Sequence, residues 1–153
     1  MSGRIDFQFK KPEESPGFLL AQVTTLWQRK QKKVLDPLKL TLTQFVLLSA
    51  LAWLSKENDS VTQVDIANLS NTDRMMVSKV LRTLEAKKFL TRQEHNIDTR
   101  AKIIKLTKEG FEVLQKAIIE VERADFEFFS VLEDNLSTFN KEMLRLIDKN
   151  KEE

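Results

Sequence analysis

A chain of 153 residues with three glycines, three prolines, no cysteine and one histidine has the length of one domain that buries roughly two-thirds of its unfolded surface, and a composition that favours helix over a loop-rich β fold. Disulfides, thiolate redox sensing and cysteine-ligated zinc are excluded, and the lone His95 does not make a metal cage, so neither a metal nor a cofactor is expected. The net charge of +2 conceals an asymmetry: residues 72–108 hold ten Lys or Arg against four Asp or Glu, and residues 109–153 hold six against twelve, as in a polyanion-binding module joined to a solvated or assembly element.

The first fifteen residues or so are polar without sustained periodicity and read as an arm. They lack an apolar core of signal-peptide length, and the longest apolar run, FVLLSALAWL, is too short to span a bilayer. A cytoplasmic chain with no membrane partner is expected. Leu19, Val23, Leu26 and Trp27 then fall at helical spacing, with a basic run from Arg29 to Lys33 that suits a helix C-terminus and Pro37 to end it. Thr41 and Gln44 have capping-box spacing, and Leu40 with Phe45 forms a hydrophobic staple, so a second helix begins there. Its body is apolar nearly all round. It is expected to be a central buried helix, with Trp53 in the core.

The same start signal returns with Thr62 and Asp65, flanked by Val61 and Ile66. The short helix is interrupted by Ser70-Asn71-Thr72 and resumes with Val77, Val80, Leu81 and Leu84 on one face, leaving Arg74, Met75, Ser78, Lys79 and Arg82 on the other. A strand, a polar turn with Asn96 and Asp98, and a second strand follow. In that second strand Ile103, Ile104 and Leu106 anchor a ribbon that carries Arg100, Lys102 and Lys105. From Thr107, the positions Phe111, Leu114, Ile118, Val121, Asp125, Phe128 and Leu132 make a heptad-like seam on a long helix. Asp125 within it is expected to face solvent, with a basic partner on a second copy of the chain as the alternative. A last amphipathic helix begins at Leu136 or Ser137 and carries Phe139, Met143, Leu144 and Ile147.

A short helix, a turn, a helix with an exposed basic face and a basic hairpin are the parts, in order, of a winged helix-turn-helix, whose second helix enters the major groove of DNA. No nucleophile with a paired histidine, glycine-rich phosphate loop or metal-ligand cluster is present, so the chain is not expected to be an enzyme. The competing class is an effector-binding or scaffold dimer whose basic face is incidental to any nucleic acid. Salt titration of DNA binding separates the two.

Asp98-Thr99-Arg100 followed by Leu106-Thr107 and Gly110, with VLRTLEAKKFLTR and VTQVDIANL upstream, resembles the D-x-R wing and L-T-x-x-G junction of MarR-family transcription regulators. The resemblance runs from about Phe18 to Ile147. It departs from the family at Lys88, where glycine is usual after the recognition helix. It implies a fold that is mainly α with a small β-hairpin: one domain, 1–153, with a winged helix-turn-helix lobe at 38–106 and dimerisation helices at 16–36 and 107–150. It further implies a homodimer on a pseudo-palindromic operator in double-stranded DNA. Thr72, Arg74, Met75, Ser78, Lys79, Arg82, Arg92, Arg100 and Lys102 are then candidates for DNA contact, with Arg100 at the wing tip, Arg92 on a phosphate and Asp98 bracing the wing. Leu19, Leu114, Ile118, Val121, Phe128, Leu132, Phe139, Leu144 and Ile147 are candidates for the dimer interface. Release from DNA by a small aromatic or phenolic effector is implied as well, with Trp27 and Trp53 as candidate pocket liners although both read first as core aromatics. The effector, the operator, the regulated genes and the choice between repression and activation are not written in these motifs.

Overall fold

The computed structural model of the chain describes residues 3–94, 97 and 101–151. Helices start where a side chain or a proline replaces the missing turn. α1 (Pro16–Leu35) follows Ser15, whose hydroxyl oxygen accepts the Phe18 amide at 3.3 Å, and Pro16 takes the first position, where an N–H is dispensable. α2 (Leu42–Leu54) and α3 (Gln63–Ser70) carry both expected capping boxes: Thr41 with Gln44, and Thr62 with Asp65, each side chain accepting the other's backbone amide. α4 (Arg74–Ala86) is capped by Asp73, which accepts the Met75 and Met76 amides at 2.9 and 3.1 Å.

Three helix ends close alike, and none uses glycine. Leu40 donates its amide to Leu35, Thr72 to Ala67 and Phe89 to Leu84, and in each case the residue before the donor is left-handed: Lys39 at φ 57°, Asn71 at φ 49° and Lys88 at φ 66°. The glycine geometry is therefore kept at Lys88, with a side chain that disfavours it by about 1 kcal/mol. Asn71 forms the turn between α3 and α4, where asparagine tolerates the conformation.

β1 (Leu90–Glu94) and β2 (Lys102–Leu106) pair antiparallel, with Leu90 opposite Leu106 and Glu94 opposite Lys102. The segment before α3 adds a contact that periodicity does not announce: the Ile104 amide donates to the Val61 carbonyl at 2.8 Å, and Thr62 bridges Ile103. Ile103 and Ile104 are both buried while Lys102 and Lys105 stay exposed, so the ribbon is rooted by its isoleucines as expected. Asp98 and Arg100, to which the wing-bracing and wing-tip roles were assigned, lie outside the described residues.

α5 (Lys108–Phe129) stops short of the predicted seam, because the chain turns through a 3-10 segment, Ser130–Asn135, before α6 (Leu136–Asn150). Within that bend Glu133 has φ 49° and ψ −125°, a strained conformation for an L residue. The first half of the seam also needs correction as a dimer surface. Leu114 and Val121 are 3% and 5% exposed in the single chain, and half-buried Ile118 packs beside them, in one core with Leu35, Leu47, Leu51, Ile66, Leu81 and Leu84. Their partners are this chain's own helices. Lys30 of α1 meets Glu127 of α5, while Lys33 and Val34 line one hollow with Glu120, so α1 runs antiparallel to α5. No single helix among the described residues is long and apolar enough to cross a membrane.

Candidate nucleic-acid interface

α4 is amphipathic in the way a reading helix must be. Val77, Leu81 and Leu84 are fully buried and fix its rotation, which turns Arg74, Met75, Lys79 and Arg82 outward, with Met75 82% exposed. Ser78 is half-buried on the same face. Thr72 is also half-buried, and its hydroxyl donates to the Ser70 carbonyl at 3.3 Å, which ties it into the turn. Two links hold the far end of α4: the Lys87 ammonium donates to the Lys39 carbonyl at 2.6 Å and to Gln44 Oε1 at 3.1 Å. Nothing in the periodicity of the chain announces this clamp between α4 and the start of α2.

The hairpin leaves Lys102 and Lys105 exposed, but Arg92 is otherwise engaged. Its Nε and Nη2 donate to Glu85 Oε1 at 3.2 and 3.0 Å. This corrects Arg92 as a phosphate contact: its guanidinium pairs within the chain and joins α4 to β1. The bond from Arg92 holds the Glu85 carboxyl below the usual carboxylate range; burial opposes that shift, and the charges of Arg92 and Lys102 add to it. Sequence reasoning missed the pair because seven residues and a helix end separate its members.

The junction behind the hairpin explains the L-T-x-x-G pattern. Thr107 donates its amide to the Phe89 carbonyl at 3.1 Å and its hydroxyl to the Lys88 carbonyl at 2.6 Å, while its oxygen accepts the Gly110 amide and starts α5. A Cβ on Gly110 would sit 1.9 Å from the Phe89 carbonyl oxygen. Only glycine lets the first turn of α5 lie against the root of β1.

The two tryptophans go to different tasks. Trp27 donates its indole N–H to Asp125 Oδ1 at 2.8 Å, and buried Gln31 donates to the same oxygen at 2.6 Å, so the polar residue in the seam faces α1 and not solvent. Trp53 is 64% exposed, with the Lys56 ammonium 4.1 Å from its ring centre, and is not a core residue. Neither tryptophan lines the hollow between α1 and α5, which is bounded by Lys30, Lys33, Val34, Glu120, Arg123, Ala124 and Glu127. There the Lys30 ammonium bonds to Glu127 and, by that bond and its charge, keeps the Glu127 carboxyl low.

Of the other candidates for a dimer interface, Leu19, Leu144 and Ile147 are exposed on α1 and α6. Phe128, Leu132 and Phe139 are half-buried; Phe128 meets Phe129 edge-on at 5.0 Å, and Phe129 stands 6.1 Å from Phe139. Those rings brace the α5–α6 bend from inside the chain.

Residues 36–125 match the ArnR1-like winged-helix domain family. The HTH-type transcriptional regulator YdcH of Bacillus subtilis is 43% identical over 123 residues, covering 80% of this chain and 84% of that protein. Among solved structures, the S. aureus MepR–DNA complex superposes with a TM-score of 0.80 at 24% identity, over 88% of this chain and 98% of that one. CouR from Rhodococcus jostii bound to p-coumaroyl-CoA superposes with a TM-score of 0.77 at 22% identity, over 91% and 95%. A rotationally fixed basic helix, a rooted hairpin and a family match over more than half of its length mean that the chain belongs to the winged helix-turn-helix transcriptional regulators, with the MarR fold, and is not an enzyme.

Proposed function

We propose that the protein is a sequence-specific repressor that binds a pseudo-palindromic operator as a homodimer in the cytoplasm and leaves it when a small aromatic or phenolic effector binds. The observation that carries the DNA reading is the outward face of α4, where Arg74, Met75, Lys79 and Arg82 stand free of the core that orients the helix. Placed in a major groove, arginines on such a face donate to guanine edges, and an exposed methionine meets thymine methyls. Thr72, Ser78 and Lys102 flank it and take phosphate. Arg100 reaches the minor groove on the strength of the sequence resemblance, with Asp98 holding its loop.

The homodimer reading is supported by what α1 and α6 leave uncovered: Leu19, Leu20 and Leu26 on one, Leu144, Leu146 and Ile147 on the other. An apolar surface of this extent on both terminal helices is a self-association surface. Effector release is supported by the MarR fold and by the p-coumaroyl-CoA bound to CouR. The test is a footprint upstream of the protein's own gene combined with a mobility shift under salt titration. Protection of an inverted repeat overlapping the promoter, with affinity that falls steeply with salt while site preference persists, is the expected result. Weak binding with no preferred sequence would leave a scaffold or effector-binding dimer instead.

A further inference from the structure

Residues 3–11 precede α1, and their sequence alternates: Ile5, Phe7 and Phe9 are separated by Asp6 and Gln8, the period of an extended strand with one apolar face. All three apolar side chains are exposed. α5 leaves the hairpin and runs for 22 residues, about 33 Å, and α1 returns antiparallel to it, so the arm lies at the end of the molecule remote from the wing.

At that same end the α5–α6 bend is uncovered. Phe126 is 76% and Val131 81% exposed. Glu133, between them and α6, holds a conformation that an L residue keeps only where its surroundings impose it, yet Val131, Glu133, Asp134 and Asn135 are all exposed in the single chain. The charges are complementary too. Glu133 and Asp134 make no ion pair among the described residues, and neither do Arg4, Lys10 and Lys11 of the arm. A chain's own arm does not answer this need, because it hooks back on α1: the Lys10 amide donates to Glu14 at 3.1 Å, and Phe7, Phe9 and Phe18 line one hollow, while Phe126 and Val131 stay bare.

We propose that the arm crosses to a second copy of the chain and lays Ile5, Phe7 and Phe9 over the α5–α6 bend there, with its lysines beside the acidic turn. The inference rests on the homodimer reading and gives it a lock. Because arm and bend belong to one sequence, the exchange is reciprocal, and each subunit's arm covers the other's bend.

A chain without cysteine allows a direct test. Phe7→Cys and Val131→Cys are made as single variants, mixed and oxidised, and the expected product is a disulfide-linked pair containing one chain of each. In the double variant the bond is expected between copies. Removal of residues 1–11 is expected to raise the dimer dissociation constant in sedimentation about tenfold or more, with the helical signal of the rest retained. Absence of the mixed pair, a disulfide closed within one chain, or a truncated protein that dimerises as tightly as the intact one would overturn the arm exchange while the homodimer stands. An intact chain that sediments as a monomer at micromolar concentration would overturn both.

Discussion

The lobe built from α2, α3, α4 and the hairpin differs from the pair of terminal helices in one physical respect: it completes its core within a single chain. Leu47, Leu48, Leu51, Ile66, Leu81, Leu84 and Ile104 are all buried there, and the exposed face of α4 is charged or polar apart from its methionines. α6 contributes no buried residue at all, although it carries Met143, Leu144, Leu146 and Ile147. The lobe is closed within one chain, whereas the terminal region leaves apolar side chains uncovered, which the proposed second copy would cover. A lobe with a closed core holds its reading helix rigid, and an open terminal region is free to join two such lobes.

The junction between the regions is the place where substitution acts most strongly. Gly110→Ala forces a methyl group into the Phe89 carbonyl, which backbone cannot yield without moving β1. A loss of about 3 kcal/mol is expected, read in calorimetry as a fall of roughly 10 °C in melting temperature. An unchanged melting temperature would show that lobe and long helix are joined more loosely than their contact implies. Arg82→Ala belongs to the lobe's surface alone. It is expected to cost about 1–3 kcal/mol of operator affinity at one base position, with stability unchanged. Competition with operators substituted one base at a time checks it, and an equal loss on random DNA would recast Arg82 as a phosphate contact.

Lys88→Gly works in the opposite direction. Relief of the left-handed backbone is expected to stabilise the lobe by about 1 kcal/mol, and the melting temperature should rise by roughly 2–4 °C. Acid sets the smallest effect. The carboxyls of Glu85 and Glu127 titrate lower in the folded chain than in the unfolded one. Their contributions are therefore fully present above the ordinary carboxylate range and disappear as the pH falls through their lowered folded values. Denaturant titrations at successive pH values should show this loss, and Glu85→Gln should remove the lobe's share while leaving that of Glu127. Both pairs are partly or wholly solvated, so added salt should shrink the effect.

The local rules carried the lobe into view. Both capping boxes, the turn at Asn71, the hairpin and the outward face of α4 followed from spacing and residue type, because each is decided within a few neighbouring residues. What escaped notice depends on which surfaces meet. Periodicity marks Leu114 and Val121 as one apolar face and is silent on whether this chain or another covers it. Asp125 reads as a misplaced charge until Trp27 and Gln31, almost a hundred residues earlier, supply two donors to one oxygen. Trp53 sits on a helix that is apolar nearly all round, and periodicity does not show that its neighbours Leu51 and Leu54 turn to the core while Trp53 faces water. The pairing of Arg92 with Glu85 was hidden for the same reason, since the left-handed turn at Lys88 folds the two back on each other.

The bare contact at Gly110 has a mechanical consequence. No side chain lies between the first turn of α5 and the Phe89 carbonyl, so there is no soft layer at this joint, and any tilt of the helix is also a tilt of the hairpin's root. α5 extends about 33 Å from this joint. A rotation of ~5° there displaces the far end by about 3 Å over that length, and run in reverse, a few ångströms of travel among the terminal helices re-aims the reading surface by the same small angle.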